Sequence, residues 1–473
     1  APHIRSVEQV FIHNKRLLPK AVVSKNSVLY ESSSLTFKSV DVLLSDEISV
    51  DLLLVDEASA IPVHLLNKLA KKFPRVVFSS TVHGYEGSGR GFEMRFIKQL
   101  SQLKLGFKRS QMLQPIRWYE HDALEQFWFN SLFQNVQQDT ETFEPASQSI
   151  ICRHLTKAQL LNNKTLLGGL FRLLIDAHYQ TSQDDLQRLL DAPEIECFIL
   201  TKGKTLLGVA QIIKEGGDCL DEIANNIADC TRRVKGHLVA QNITSSYNAL
   251  PFLSAQQWRI SRIAIAPEKQ RKGLGKKLID YIEQQARQQN IMFLTTSFGC
   301  NTNILNFWYK NGFFLTKLSA KPEVSSGEHS AICIKPLTNE ALKISDSIHK
   351  EFYQELLYQI DKNFQELSES LLIQILLFKP TVNIDVSKNI EILKQFAKGK
   401  RAYFTCKRLL KEYLIANPAR FLTLETQEQA LLVAALLQNL EDKDLCSKYN
   451  LSGKKQIEQA LKASFGKILA KQQ

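Results

Sequence analysis

Apolar positions along this chain follow two periods, and the switches between them mark its elements. From Lys276 to Asn290 the apolar residues Leu278, Ile279, Ile282 and Ala286 share one helical face. The segment before it, Arg259 to Ala266, reads as a strand carrying Ile263 and Ile265, with Arg262 between Ser261 and Ile263. Pro267 ends that strand because it has no N–H to donate. Gln270-Arg271-Lys272-Gly273-Leu274-Gly275 then opens the helix. A second strand-like run, Ile291 to Ser297, is followed by a short helix, Asn303 to Lys310, closed by Asn311-Gly312-Phe313.

The same reading extends both ways. Upstream, Ile150 to His154 starts a strand and Leu166 to Ala177 is an amphipathic helix, with Thr181 or Ser182 capping the next one. Cys197–Leu200 and Leu206–Ile213 are strands joined by the hairpin signal Lys202-Gly203-Lys204, and residues 216–257 are an insertion. Asp51 to Val55 is a solid apolar run, as for a strand buried on both faces, and Val76 to Phe78 is a second. Residues 110–150 connect, and their Phe127, Trp128, Phe129, Leu132 and Phe133 read as helix core rather than a stacking platform. Beyond 338 the pattern is almost wholly helical, with caps at Ser345, Asp346 and Thr426. The fold class is therefore α/β, with an α/β module over 1–140, a second α/β domain over 141–337 and a helical domain over 338–473. There is no internal repeat or low-complexity tract.

With 473 residues, 44% hydrophobic and 23% charged, the chain reads as globular and soluble. Apolar stretches such as Ala430–Leu437 are too short to span a bilayer, and no secretory signal is visible, so a cytoplasmic protein without membrane contact is expected. The eight cysteines form no C-x-x-C pair and no Cys/His set at zinc spacing, which fits reduced core thiols and no metal site. A net charge of +12 favours a polyanionic partner over plain solubility. Between Ile392 and Lys411 stand seven basic residues and no acid: Lys394, Lys398, Lys400, Arg401, Lys407, Arg408 and Lys411, with Tyr403 and Phe404 interleaved. That stretch is either a solvated helix face or a grip on a nucleic-acid backbone. No stable protein partner is evident.

Two stretches carry chemistry. A glycine turn at a helix start is an anion site, because the first amides have no internal partner and lie at the positive end of the dipole. Gly273 and Gly275 permit positive φ and close approach, Arg271, Lys272 and Lys276 add charge, and a pyrophosphate fits. Asp56-Glu57 closes the buried strand as a Walker B pair does, with Asp56 holding Mg²⁺ through water and Glu57 orienting the attacking water. Arg90, on a glycine-rich loop, could reach a γ-phosphate. No G-x-x-x-x-G-K-S/T occurs. Since the chain opens on Ala1, the expectation is a fragment whose phosphate loop lies upstream and which does not hydrolyse ATP efficiently.

The strand, turn and helix succession resembles the acetyl-CoA site of the GNAT acetyltransferases, whose turn is Q/R-x-x-G-x-G/A. A wider set of motifs resembles the bacterial tRNA(Met) cytidine acetyltransferase family, which joins an RNA-helicase-like ATPase module, a GNAT module and a helical RNA-binding tail. That set is Val55-Asp56-Glu57-Ala58 with Ile61-Pro62, Gly84 to Arg90, Gln114-Pro115-Ile116-Arg117-Trp118, Ala177-His178-Tyr179, Asp191-Ala192-Pro193, Arg262 to Ile265, Gln270 to Gly275, Ser297-Phe298-Gly299 and Ser325-Ser326-Gly327. It covers about 50 to 335. The resemblance implies ATP-coupled acetyl transfer from acetyl-CoA to the exocyclic amine of the wobble cytidine of elongator tRNA(Met). It implies acetyl-CoA binding by Ile263, Ala264, Ile265, Gln270, Arg271, Lys272, Gly273, Leu274, Gly275 and Lys276, and by Asn303 and Lys310, where the bacterial pattern has an acid and an arginine. ATP and Mg²⁺ fall to Asp56, Glu57 and Arg90. The thiolate-protonating tyrosine of many GNAT enzymes maps to Trp308, with Tyr309 one step off.

The chemistry adds its own demands. A cytosine amine is a poor nucleophile and needs positioning, an oxyanion donor and a proton acceptor. A backbone N–H near Ile265 suits the donor. His178 suits the base, since imidazole titrates near working pH; the other reading is a helix-ending histidine bonded to a carbonyl. Two further hypotheses are a GNAT enzyme acting on protein lysine or a small amine, and a non-catalytic RNA-binding or ATPase module whose GNAT fold is vestigial, against which the intact Gln270 to Gly275 turn argues.

Overall fold

A computed structural model of the chain describes residues 1, 3–81, 96–102, 106–112, 114–116, 118–133, 149–177, 183–323, 327–379 and 390–470. Its backbone divides into two compact units, one of Ala1–Ile213, Ile260–Ile282 and Glu323–Gly327, the other of Lys214–Arg259, Glu283–Pro322 and Glu328–Gln473.

In the first unit, β1 (Val22–Val23), β2 (Ser27–Tyr30) and β3 (Ser33–Thr36) form a small antiparallel sheet. Strands β4 (Leu53–Val55) and β5 (Val76–Phe78) then pair in parallel, joined through helix α1 (Val63–Lys72). Leu66 and Leu69 of α1 bury against Leu53, Val55 and Ile61. The strand is not covered on both faces: Leu54 and Val77 are 54% and 50% exposed. Period-two geometry sends Leu53 and Val55 to the helix side and Leu54 to the other.

Helix α2 (Ala123–Ser131) is capped by Asp122 and buries none of its residues. Phe127 and Trp128 are exposed, edge to face at 5.4 Å, so the expected aromatic core is overturned there. Phe133 does pack against a core, that of the strands after it. Those strands are β6 (Ile150–Leu155), β7 (Ile195–Lys202) and β8 (Thr205–Glu215), paired antiparallel in order, with β9 (Gln257–Ile265) beside β8. Helices α3 (Lys164–Ala177) and α4 (Gln183–Asp191) cover one face. Leu167, Leu170, Phe171, Leu174, Leu186 and Leu189 meet alternate strand residues Ile195, Cys197, Ile199, Val209, Ile213 and Ala264 there. Helix α5 (Leu274–Gln288) follows β9, and its Leu278, Ile279, Ile282 and Ala286 are fully buried, as their spacing requires.

In the second unit, β10 (Phe293–Gly299) pairs antiparallel with β12 (His329–Pro336), and β11 (Phe314–Pro322) lies on the other side of β12. Helix α6 (Thr302–Lys310) joins β10 to β11. The insertion contributes the helix Leu238–Tyr247, which packs Val239 and Ile243 with Phe252, Phe293 and Ile334, and with Ala341 and Ile348 of α7 (Asn339–Gln359). Thr338 caps α7, so Ser345 and Asp346 lie inside that helix and cap nothing. Helices α8 (Glu369–Leu377), α9 (Ile390–Ala397), α10 (Tyr403–Ala416) and α11 (Lys454–Ala470) make up most of the tail. Glu425, not Thr426, caps the helix Thr426–Leu432, in a reciprocal box with Glu428.

All eight cysteines are free, four of them buried, but Cys219 and Cys230 of the insertion are exposed. Among the described residues no helix is long and apolar enough to cross a membrane, and no His/Cys/Asp/Glu group could hold a metal ion.

Candidate active site

The site begins where β9 ends. The Ala266 N–H reaches the Leu207 carbonyl at 2.9 Å, and Pro267–Lys269 make a single 3-10 turn. The Gln270 amide Nε2 bonds the Ile265 carbonyl at 3.0 Å, tying the turn to the strand it leaves. Arg271 and Gly273 then take left-handed φ of 58° and 77°. Gly275 does not; it sits in the first turn of α5 with helical backbone, so positive φ is required of Gly273 and Arg271 instead. The first described bond back along the helix runs from the Lys277 N–H to the Gly273 carbonyl at 3.1 Å, which leaves the amides of Leu274, Gly275 and Lys276 ahead of it. A Cβ on Gly273 would meet no heavy atom within 4 Å. Arg271 and Lys272 are exposed, while buried Leu274 anchors the turn. Lys276 shares its charge with Asp280 at 2.9 Å, an exposed pair worth a few tenths of a kcal/mol. Three outward amides, open space and two uncommitted cations fit a pyrophosphate.

Upstream, Gly208 lets β8 and β9 come close: a Cβ there would meet the Ile265 Cδ1 at 2.5 Å. Ser261 donates to the Gln211 carbonyl at 3.0 Å. Arg262 pairs with Asp185 of α4 at 3.0 Å, both partly buried. Asp185 stands in an acidic first helical turn, and nothing in its sequence surroundings singled it out.

The second unit holds the other acetyl-CoA candidates. Asn301 caps α6 by accepting the Ile304 N–H, and Asn303 and Lys310 are exposed on it. Trp308 is buried among Phe298, Phe307 and Phe313, and has no phenol to give. Tyr309 stacks on Phe378 with ring centroids 3.5 Å apart. Buried Glu215 at the end of β8 binds Arg259 and accepts the N–H groups of Val239 and Ala240 at 2.7 and 3.1 Å. It therefore caps the insertion helix as well as neutralising the arginine.

In the N-terminal module Asp56 stands at the carboxyl end of β4 and takes a 2.7 Å hydrogen bond from the Ser79 hydroxyl. Glu57 has left-handed backbone, φ 50°, which turns the chain sharply off the strand. Arg90 and His178 lie outside the described residues.

The basic tail is divided by its partners. Lys394, Lys398, Lys400 and Arg401 are exposed, Arg401 donating its Nε–H to the Gln395 Oε1 at 2.8 Å, and Phe404 beside them is 89% exposed. Lys411 instead pairs with Asp361 at 3.3 Å, Arg408 pairs with Glu412, and Lys407 bonds Asn439 above the Tyr403 ring. Burial lowers the Lys407 amine from its ordinary pKa. Asp361 and Asn439 are distant in sequence and Glu412 lies one residue beyond the stretch, so a one-signed window did not show this neutralisation.

Strand, phosphate-type turn and helix, in one chain with a parallel strand pair whose first strand ends in Asp-Glu, define the class: a GNAT-type acetyltransferase domain joined to a helicase-type α/β module. Residues 1–135 match the model of the RNA cytidine acetyltransferase NAT10/TcmA helicase domain, and residues 169–289 and 281–338 match GNAT acetyltransferase 2. The tRNA(Met) cytidine acetyltransferase TmcA of Nitrosococcus halophilus is 32% identical, over 98% of this chain and 63% of its own length. That of Vibrio cholerae is 31% identical over 99% and 64%, and that of Thermofilum pendens 30% over 96% and 59%. The chain belongs to the RNA cytidine acetyltransferase family, and spans a little under two thirds of the length of these curated relatives.

Proposed function

We propose that this chain transfers the acetyl group of acetyl-CoA to the exocyclic amine of a cytidine in tRNA, forming N4-acetylcytidine. The relatives' names give a cytidine of tRNA(Met) as the acceptor; the wobble cytidine of elongator tRNA(Met), in the cytoplasm, is our own assignment. The observation that carries the reading is the turn at Gly273, with three amides aimed outward at a helix start. Acetyl-CoA supplies an activated thioester. The protein's part is to hold its pyrophosphate on Gln270 to Lys276, with Asn303 and Lys310 of α6 as further contacts, and to run the pantetheine back along Ile265, Ala264 and Ile263.

The new bond joins cytidine N4 to the acetyl carbon as the C–S bond breaks. The N4 proton leaves and a proton ends on the CoA sulfur, so both an acceptor and a donor are needed. His178 is our acceptor. The Ala266 N–H is committed to Leu207, so an oxyanion donor has to come from earlier in β9. Trp308 cannot protonate the thiolate. We place ATP–Mg²⁺ at Asp56, Glu57 and Arg90, where Asp56 with the Ser79 hydroxyl is a suitable oxygen set for a water-bridged cation. Exposed Lys394, Lys398, Lys400 and Arg401, with Phe404 as a stacking face, are our tRNA contacts on the tail.

Incubation with labelled acetyl-CoA and separate tRNA and protein pools tests the reading. Label recovered as N4-acetylcytidine after nuclease digestion of tRNA is expected. Label in protein alone would establish lysine acetylation instead.

A further inference from the structure

The insertion holds a second set of cations that the acetyl-CoA turn and the tail do not use. Arg232, Arg233 and Lys235 lie within four residues, all exposed. Among the described residues none has a recorded ion pair or side-chain hydrogen bond. The loop beneath them is fixed at both ends. The Thr231 and Arg232 N–H groups both bond the Asn226 carbonyl, at 2.9 and 3.1 Å. Val234 exchanges two bonds with the Gln241 amide, at 3.2 and 2.8 Å, and its side chain packs against the cluster of Leu220, Ile227, Ala240 and Leu253. Gly236 turns with φ 97°, and His237 Nδ1 accepts the Gly216 N–H at 3.0 Å. Val234 is thus pinned inward while the basic side chains on either side of it point out.

Like charges carried side by side repel, and the bonds at Asn226 and Gln241 keep their backbone attachment points close together. The insertion's own acids do not neutralise them: Asp221 is engaged by the Ser254 hydroxyl, and no ion pair joins Asp218, Glu222 or Asp229 to the three cations among the described residues. A polyanion with regularly spaced charges turns that repulsion into attraction through counterion release. We propose that the Arg232–Lys235 loop is a second tRNA-binding surface, gripping backbone phosphates apart from the tail. This rests on the acetyltransferase reading above. Two guanidinium forks and an ammonium, all exposed, suit phosphates, which accept from either kind of cation.

The test is tRNA binding by the whole chain between 50 and 200 mM KCl. The triple variant R232A/R233A/K235A should lower the slope of log affinity against log salt by about 2 to 3, since each lost phosphate contact removes roughly 0.7 to 0.9. R232K/R233K should keep the wild-type slope, because a phosphate accepts either cation. Acetyl-CoA affinity and melting temperature should not move in either variant. A triple variant with wild-type affinity and slope would overturn the proposal, as would base-specific loss in R232K/R233K. Failure of the wild-type chain to bind any tRNA would refute the parent reading instead, so the two failures are distinguishable.

Discussion

Replacing Gly275 by valine tests the acetyl-CoA turn with little confounding from stability. Gly275 has helical backbone in the first turn of α5, so the substitution introduces no φ strain. Valine has a somewhat better intrinsic helix propensity than glycine, by a few tenths of a kcal/mol, so folding should be neutral or slightly favoured. Its Cβ leans toward the helix N-terminus, the direction from which a pyrophosphate must approach the amides of residues 274–276. A charged hydrogen bond contributes about 1.5 to 3 kcal/mol. Blocking two of the three amides should therefore cost about 3 to 6 kcal/mol, a loss of roughly 10²- to 10⁴-fold in CoA affinity. Titration calorimetry with CoA measures this, and a thermal melt without ligand shows that the fold is intact. Gly273→Ala is the counterpart. Its Cβ has room, but left-handed φ costs about 1 to 2 kcal/mol, so it should lower the melting temperature as well. Unchanged CoA affinity in a folded Gly275→Val protein would show that the pyrophosphate lies elsewhere.

Glu215→Ala leaves Arg259 buried without its partner and two helix amides uncapped, so a loss of about 3 to 5 kcal/mol is expected in urea melts, less for Glu215→Gln; a loss under about 1 kcal/mol would contradict the pairing. His349, partly buried and stacked on Phe314, has its pKa pushed down to about 4 by desolvation, against a partial opposing pull from Asp346. The unfolded chain then binds the proton first, so stability should fall as pH drops from about 6.5 to 4, on the order of 3 kcal/mol in all, and His349→Phe should flatten that part of the melting profile. On the tail, Lys400→Ala with Arg401→Ala should lower the salt slope of tRNA binding by about 1.4 to 1.8, while Lys411→Ala, which breaks the pair with Asp361, should change stability and leave the slope alone.

The local features were legible in the sequence because they arise within a few residues. The helical spacing of Leu278, Ile279, Ile282 and Ala286, the stop at Pro267 and the two-residue turn at Gly203 each follow from neighbours along the chain. So did the apolar strand before Asp56. What the tertiary structure decided is what neighbours across space do. Whether Leu54 is buried depends on what lies over the second face of its strand, and whether Phe127 and Trp128 are core depends on what α2 packs against. The left-handed residues of the turn are Arg271 and Gly273 rather than Gly273 and Gly275, since φ is set by the exit from β9 and the entry to α5 together. A basic stretch loses Lys407 and Lys411 to Asn439 and Asp361, and Glu215 gains its role from Arg259 and the helix at Val239. Periodicity encodes which side of an element is apolar. Ion pairs and caps between distant segments depend on loop closure and packing, which no local window contains.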